Sequence, residues 1–328
     1  MKTIKIYSNI VLGGWSADSL ENRSGGSEEK MIELAKELAK DNKVIIYHNG
    51  KHGKFEGVEY QEHLSFKPYE PFDVFISFKN REILKQSINA KKIIHFTTEI
   101  ENWKDWELEQ VDKVVTISDF HTSRMMPKSP KIEKIYLWAD FERLERNKVD
   151  KEEGSMLYCS SLDRGLEQLL SVWGTVMDKL KLKKLYITYG WNTIDLMIRN
   201  NPKLLDWKNH MLKLMEQKGI EFLGQVSQDE ISKYYWKSQY WCLPLNNPDS
   251  ELFCINAIKA EYCNSIPLVR RIGALTETVN NYLDFDGLLG EKVGQDKFPE
   301  NAIEENRKYA QKFNLKDQVQ KWKDLIIS

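Results

Sequence analysis

The chain has 328 residues, about twice the length of a typical single domain, so we expect two domains. Lys and Arg together number 48 against 49 Asp and Glu, and the halves before and after residue 150 are each close to neutral. A protein that binds nucleic acid without sequence preference needs a surplus of cations, so this balance argues against nucleic acid as a partner.

Short β-branched and apolar runs alternate with longer helical patterns along the chain, which predicts parallel strands joined by helices in an α/β fold. In the first half the predicted strands are residues 4–8, 44–47, 73–77, 92–96 and 114–117. Between the first two, residues 27–39 predict an amphipathic helix behind a Ser cap. Its apolar residues recur at helical spacing: Met31, Leu34, Ala35 and Leu38.

The second half repeats this alternation. Its predicted strands are residues 155–159, 184–189, 220–223, 240–243 and 266–269, and a helix is predicted over residues 166–177. Residues 142–154 are almost all charged or polar and predict the linker between the domains. Two doubly wound domains would leave a cleft at the carboxyl ends of their strands, where open α/β sheets bind ligands. One large sheet is the alternative.

The cysteines and the apolar runs limit the classes of protein further. The four cysteines (Cys159, Cys242, Cys254 and Cys263) have no CxxC spacing, so we interpret them as buried reduced thiols. No histidine pattern indicates a metal site. No apolar run approaches the roughly 20 residues that span a bilayer, and the first residues lack the apolar core of a signal peptide. We therefore expect a cytoplasmic protein without a transmembrane segment.

The loop before the first predicted helix contains Gly25-Gly26-Ser27-Glu28. Glycines at a helix N-terminus let backbone N–H groups approach an anionic ligand closely. A dinucleotide-binding fingerprint would place its glycines directly after the strand, and here a long loop intervenes, so a nicotinamide or flavin dehydrogenase is disfavoured. A simple turn remains the alternative.

Two charged residues of the second half follow predicted strands. Arg164 lies between the strand at 155–159 and a helix, where a guanidinium suits a phosphate group better than a lysine does. Glu251 follows the strand at 240–243 and is predicted to open a helix. The alternatives are an exposed surface arginine and a glutamate that complements the helix dipole.

These residues belong to a wider pattern that resembles the retaining GT-B glycosyltransferases of glycosyltransferase family 4. The segment of this family that binds the donor is matched by Glu251, Phe253, Cys254, Pro267, Val269, Gly273, Ala274, Leu275 and Glu277. Gly25-Gly26-Ser27-Glu28 resembles the N-terminal loop of the family, and residues 161–167 resemble its phosphate-binding turn. Tyr189-Gly190 and Phe222-Leu223-Gly224 fit as well.

The resemblance implies two Rossmann-like domains facing across a cleft. The acceptor-side domain would span residues 1–147 with a C-terminal helix at about 312–328 crossing back to it, and the donor-binding domain would span 154–311. The implied activity is transfer of a hexose from a nucleotide diphosphate sugar, GDP-mannose before UDP-hexoses, to a hydroxyl of a glycan or glycoprotein. The reaction would retain the anomeric configuration and need no metal or other cofactor. A homodimer is compatible with this assignment.

The same resemblance assigns the site residues. Glu251, Arg164 and His95 would be catalytic. The donor would be bound by Gly25, Gly26, Ser161, Gly224, Gln225, Val226, Leu245, Phe253, Cys254, Ile255 and Lys259.

Three features depart from the family pattern or compete with it. Lys259 stands where the second glutamate of the family would hold the ribose, and Glu261 lies two residues too late. A serine, Ser160 or Ser161, replaces the first basic phosphate ligand, so Arg270 or Arg271 is a candidate to share the phosphate charge. Asp284-Phe285-Asp286 matches the metal motif of GT-A enzymes but is interpreted as a loop. A sugar-nucleotide epimerase and a non-catalytic binding scaffold remain the alternative functions.

Overall fold

The computed structural model describes residues 1–9, 15, 17, 26–290 and 298–328. The chain forms two compact units. The first comprises Met1–Trp138 together with Phe313–Ser328, and the second comprises Ala139–Lys312. Each unit contains one sheet.

The first unit has an eight-stranded sheet. Its strands are β1 (Thr3–Tyr7), β2 (Lys43–His48), β3 (Gly53–Phe55), β4 (Val58–Glu62), β5 (Phe72–Phe78), β6 (Ala90–Phe96), β7 (Lys113–Thr116) and β8 (Ile132–Lys134). Their order is β3-β4-β2-β1-β5-β6-β7-β8, and only the β3–β4 pair is antiparallel. The five strands predicted in this half coincide with β1, β2, β5, β6 and β7. Strands β3, β4 and β8 were not predicted, because they are short or half-exposed.

Four helices lie in the part of the first unit that the structure describes. They are α1 (Gly26–Ala39), α2 (Asp105–Glu109), α3 (Asp119–Arg124) and the C-terminal helix Leu315–Ile327. The indole of Trp322 on the C-terminal helix packs edge-on against Phe96 of β6, with 5.1 Å between ring centroids. The ammonium of Lys2 donates to the carbonyl of Ile326 at 2.8 Å. The end of the chain is therefore part of the first unit.

The second unit has a six-stranded, fully parallel sheet. Its strands are β9 (Glu152–Tyr158), β10 (Lys184–Thr188), β11 (Ile220–Gly224), β12 (Ser238–Leu243), β13 (Ile266–Val269) and β14 (Leu283–Asp284). Their order is β11-β10-β9-β12-β13-β14. From β9 the sheet grows toward one edge through β10 and β11, and the chain then returns to the centre and grows toward the other edge through β12, β13 and β14. As in a Rossmann fold, the strand order therefore reverses between β9 and β12.

Ten helices belong to the second unit. They are α4 (Phe141–Arg146), α5 (Leu166–Ser171), α6 (Trp173–Leu180), α7 (Asn192–Ile198), α8 (Lys203–Leu214), α9 (Gln228–Lys237), α10 (Ile255–Tyr262), α11 (Leu275–Thr278), α12 (Phe285–Leu289) and α13 (Ala302–Ala310) among the described residues. The single helix predicted over 166–177 is two helices that meet at Val172.

The prediction of a linker at 142–154 is wrong. This segment contains most of α4 and the start of β9, and all of it lies in the second unit. Leu144 is buried, and its carbonyl accepts a hydrogen bond from the indole N–H of Trp236 at 2.8 Å. Phe141 at the start of this helix stacks on Tyr262, with 4.1 Å between ring centroids. Two such contacts anchor a short helix that is otherwise mostly charged, so charge alone does not mark a linker here.

Lys151, which precedes β9, is expected to make stability rise with pH. Its ammonium donates to the carbonyls of Ser238 (3.0 Å) and Cys263 (2.7 Å), and burial lowers its pKa to about 8. An unfolded lysine titrates near pH 10.4, so between these values the unfolded chain binds more protons than the folded one. Stability should therefore increase from pH 8 to 10 relative to a Lys151→Met variant, by about 1–3 kcal/mol.

The measurement is urea unfolding of both proteins across this pH range, with the exposed Lys183→Met as control. Parallel pH profiles of the wild type and Lys151→Met would contradict the assignment.

Two further features bear on the class of protein. All four cysteines are buried. Within the described ranges, none of the helices combines the length and apolar character needed to cross a bilayer.

Candidate functional site

The candidate site lies in the second unit, where the strand order reverses between β9 and β12. Open α/β sheets bind ligands beyond the carboxyl ends of their strands at such a reversal. Residues 159–165 follow β9, and the long loop at 244–254 follows β12. Arg164 lies in the first segment and Glu251 in the second, so the sheet brings together two residues 87 positions apart in the chain.

The turn that carries Arg164 is held from both sides. The hydroxyl of Tyr158 shares its one proton between the carbonyls of Ser161 (2.6 Å) and Arg164 (3.0 Å). The backbone amide of Arg164 donates to the carbonyl of Ser161 at 2.9 Å. Gly165 then adopts φ +84°, and a Cβ there would lie 2.4 Å from the carbonyl oxygen of Pro244. Only glycine fits this position, because any side chain would collide with the loop after β12 and would also disfavour the positive φ. The turn after β9 can therefore lie in direct contact with that loop.

Arg164 and Glu251 form an ion pair, with Nη1 of the arginine 3.0 Å from Oε2 of the glutamate. The Glu251 side chain is 11% exposed and the Arg164 side chain 37%. Burial raises the pKa of Glu251, and the charge of Arg164 and the N–H of Phe253 offset only part of that increase. Burial lowers the pKa of Arg164, but the carboxylates of Glu251 and Asp163 outweigh it and raise that pKa overall. The arginine therefore keeps its charge, with part of its surface open to a ligand.

The prediction that Glu251 opens a helix is wrong. Its backbone is extended (φ −136°), and α10 begins four residues later at Ile255. The carbonyl of Glu251 accepts a hydrogen bond from the amide of Ala274 at 3.2 Å. Gly273 beside it adopts φ +58°, and a Cβ there would lie 2.4 Å from the carbonyl oxygen of Pro248. The Gly-Ala step before α11 therefore fixes the loop that carries the carboxylate.

The N-terminus of α10 also lies at this edge of the sheet. Asn256 ties it to β9, because its amide donates to the carbonyl of Cys159 at 2.8 Å and accepts from the hydroxyl of Tyr235 at 2.7 Å. The side chains of Phe253, Cys254 and Ile255 are buried. The backbone N–H of Phe253 interacts with the Glu251 carboxylate. The N–H groups at the start of α10 are therefore the ones suited to a ligand, because the first turn of a helix lacks intrahelical partners for them.

Lys259, at the ribose position of the family pattern, and the nearby Glu261 both form hydrogen bonds within the second unit. Lys259 is 7% exposed, and its ammonium donates to the side-chain carbonyl of Gln228 at 3.1 Å. Glu261 is fully buried, and its carboxylate accepts from the amide of Asn280 at 2.8 Å. Glu261 therefore supports the backbone after α11, and burial raises its pKa well above the usual range.

The remaining donor-binding candidates of this unit differ in exposure. Gly224, at the end of β11, adopts φ +66°, and Gln225 beside it is exposed. Val226 is half-buried, as is Ser161. Leu245 is fully buried, so its side chain is not available to a ligand in this conformation.

Arg270 and Arg271, the candidates to share the phosphate charge, are engaged elsewhere. Arg270 forms a bidentate pair with Asp286 (2.8 and 2.9 Å), and Arg271 donates to the carbonyl of Thr276 at 2.9 Å. The Asp284-Phe285-Asp286 motif is not a loop: Asp284 ends β14 and caps α12 by accepting from the amide of Gly287 at 2.6 Å. Within the described ranges, no group of three or more His, Cys, Asp or Glu side chains is placed to hold a metal ion.

The candidates of the first unit are less accessible than expected. Gly25 lies outside the described residues, and Gly26 is the exposed first residue of α1. The assignment of His95 as a catalytic residue is not supported, because its imidazole is fully buried. Its Nε2 lies 3.1 Å from Oε1 of Glu101, whose Oε2 accepts from the indole N–H of Trp103 at 3.0 Å. His95 belongs to a buried polar cluster.

One residue at this edge matches the family pattern but was not predicted to bind a ligand. Tyr189 follows β10, is 40% exposed and has φ +97°. Its signals in the sequence are the match of Tyr189-Gly190 to the family pattern and a bulky residue directly before a glycine at a strand end.

The fold matches solved glycosyltransferases of the GT-B class. A glycosyltransferase from Rickettsia africae aligns with a TM-score of 0.70 over 99% of this chain and 97% of its own, at 15% identity. Sucrose-phosphate synthase from Thermosynechococcus elongatus aligns with a TM-score of 0.72 over 99% and 98%, at 14% identity. Anabaena HepE, solved in complex with UDP-glucose, aligns with a TM-score of 0.70 over 99% of both chains, at 11% identity.

Sequence comparison shows the family. The profile of the family described as glycosyl transferases group 1 matches residues 141–319, which is more than half of the chain. The chain belongs to this family, and both Arg164 and Glu251 lie within the matched segment. No protein of curated function matches the sequence.

Proposed function

We propose that this protein transfers a hexose from a nucleotide diphosphate sugar to a hydroxyl of a glycan or glycoprotein, with retention of the anomeric configuration. Membership of the glycosyl transferases group 1 family supports a nucleotide-sugar donor. The observation that carries the proposal is the Arg164–Glu251 pair at the strand-order reversal of the second unit.

In the proposed reaction the bond from the anomeric carbon to the β-phosphate oxygen breaks, and a bond to the acceptor oxygen forms on the same face. The acceptor hydroxyl gives its proton to the departing phosphate, so no separate protein base is needed. Negative charge grows on the diphosphate while the sugar ring becomes positive. A site that places a fixed positive charge at the diphosphate and a fixed negative charge at the sugar ring lowers the activation barrier of the transfer.

The charges of the site suit these two demands. The partly open guanidinium of Arg164 and the backbone N–H groups at the start of α10 would hold the diphosphate. The Glu251 carboxylate would bind sugar hydroxyls and stabilise positive charge on the ring. Without a ligand, Arg164 neutralises the charge of Glu251. A bound diphosphate would compete for the same guanidinium, and the carboxylate of Glu251 would then be free to face the sugar. No metal is required in this scheme.

The base and the sugar of the donor are proposed from similarity. GDP-mannose is the first candidate because of the family resemblance. UDP-glucose is the second, and the structure of HepE with UDP-glucose supports its inclusion.

Calorimetric titration with GDP-mannose, UDP-glucose and UDP-N-acetylglucosamine tests the proposal. We expect one of them to bind, and Arg164→Gln to weaken this binding at least tenfold, because the substitution removes a charge-assisted contact to phosphate. The matched control is Arg199→Gln, an exposed arginine at the end of α7. Absence of heat with all three donors would refute a nucleotide-sugar enzyme, and an inverted product anomer in NMR would refute retention.

A non-catalytic binding scaffold is the second candidate, and Lys259 favours it. This lysine occupies the ribose position of the family and is held by Gln228. Donor binding without transfer to any acceptor and without slow hydrolysis of the donor would support the scaffold.

A further inference from the structure

Among the described non-glycine residues, Tyr189 has the largest positive φ. Four other described non-glycine residues have positive φ, namely Glu56, Lys79, Lys181 and Asn264, and their φ values of 48–62° fall in the left-handed helical region. Tyr189 has φ +97°, outside that region. A bulky residue in such a conformation costs about 1–3 kcal/mol and persists only where its surroundings fix it, most often at ligand sites.

The surroundings of Tyr189 fix it against the turn after β11. The amide of Tyr189 donates to the carbonyl of Gly224 at 2.8 Å. A Cβ on Gly190 would lie 3.1 Å from Cβ of Gln225, so the two turns are in close contact. The side-chain amide of Asn192 donates to that of Gln225 at 2.9 Å. These contacts hold residues 189–192 against the turn that follows β11.

The tyrosine ring itself is not buried by these contacts. Its exposed fraction is 40%, and its phenol lies within electrostatic range of the Arg164 guanidinium. Strand β10 lies between β9 and β11, so Tyr189, which follows β10, lies between the turn that carries Arg164 and the turn at Gly224. The strained backbone therefore presents an aromatic face beside the arginine proposed to bind the diphosphate.

We propose that the ring of Tyr189 is the platform on which the nucleobase of the donor stacks. This inference rests on the proposed function, since it assumes that Arg164 holds the diphosphate of the same ligand. A base joined through ribose to that diphosphate would extend from Arg164 toward the turn at Gly224 and Gln225, where the ring lies. Stacking uses the face of the base, so the platform accepts uracil and guanine alike, and discrimination between them would fall to other groups.

Titration with UDP, GDP and inorganic pyrophosphate tests this inference on the full-length wild type, Tyr189→Phe and Tyr189→Gly. Glycine removes the ring and also relieves the unfavourable φ, so this variant is expected to fold. Loss of a base–aromatic stack should weaken UDP and GDP binding about tenfold. Tyr189→Phe should bind both nucleotides within about threefold of wild type, and pyrophosphate affinity should be equal in all three proteins.

The outcomes separate the possible roles of the residue. Equal weakening of UDP and pyrophosphate by Tyr189→Gly would overturn the base platform, because the ring would then act at the diphosphate. Loss of UDP and GDP binding in Tyr189→Phe would overturn it in favour of the hydroxyl. Wild-type affinity for UDP and GDP in Tyr189→Gly would overturn it while leaving the proposed function intact. A wild type that binds neither nucleotide would refute the proposed function itself.

Discussion

Replacing Glu251 with Gln is expected to lower the turnover number about 10²–10³-fold and to change UDP or GDP affinity by no more than about threefold. The substitution keeps the shape of the side chain and removes its negative charge. In the proposed reaction that charge matters most when the sugar ring becomes positive, which happens in the transition state and not in the bound donor. The measurement is turnover of the donor together with calorimetric nucleotide affinity.

The matched control is Glu261→Gln. Glu261 is a second buried glutamate of the same segment, but its carboxylate holds the amide of Asn280. This variant should keep its turnover number even if its stability falls. If Glu251→Gln lost donor affinity and turnover to the same degree, Glu251 would be a binding residue without a separate role in the transition state.

The pH dependence of turnover gives a second readout for Glu251. Burial raises the pKa of this carboxyl above its ordinary value of 4.5. The ionised form is the active one, so activity should fall as the pH drops through the raised pKa. We expect this acidic limb in the wild type, and the residual activity of Glu251→Gln should lack it.

Replacing Gly165 with Ala is expected to lower the free energy of unfolding by about 3 kcal/mol or more. A non-glycine residue in the left-handed region costs about 1–2 kcal/mol. The added methyl group would also lie 2.4 Å from the carbonyl oxygen of Pro244, so the turn after β9 must move away from the loop after β12. Because this turn positions Arg164, nucleotide affinity should fall as well. Urea unfolding and calorimetry measure the two effects.

Gly174→Ala is the control for this experiment. Gly174 lies in the first turn of α6, and no atom beyond its neighbours comes within 4 Å of a Cβ there. Alanine at this position should leave stability unchanged or raise it by roughly 0.5 kcal/mol. Equal stabilities of Gly165→Ala and Gly174→Ala would contradict the contact between the two loops.

The fold could be predicted from the sequence where the local pattern is strong. The ten predicted strands are all present, because all of them except the edge strand β11 are interior strands of a largely parallel sheet, which are short apolar runs. The boundary between the units could not be predicted, since the charged stretch at 142–154 belongs to a helix and a strand. A helix that buries one side chain, as α4 buries Leu144, carries almost no hydrophobic periodicity.

Some residues of the candidate site could likewise be predicted from the sequence and others could not. Arg164 and Glu251 could be proposed from their positions after predicted strands and from the family pattern. The burial of His95 against Glu101 could not, because that contact depends on the fold of the segment after β6. The bidentate pair of Arg270 and Asp286 joins residues that follow different strands, and no local pattern indicates it.

The sequence by itself therefore determined the alternation of strands and helices and the α/β class of the fold, which follow from side-chain periodicity, a local property. It also predicted the two charged residues of the candidate site, from their positions at strand ends together with the family pattern. The tertiary structure alone decided that β9 and β12 are neighbours, so that Gly165 touches Pro244 and Arg164 pairs with Glu251. It also decided that Tyr189 is held with positive φ beside them. Contacts of this kind depend on strand order, and strand order is set by the packing of the whole unit.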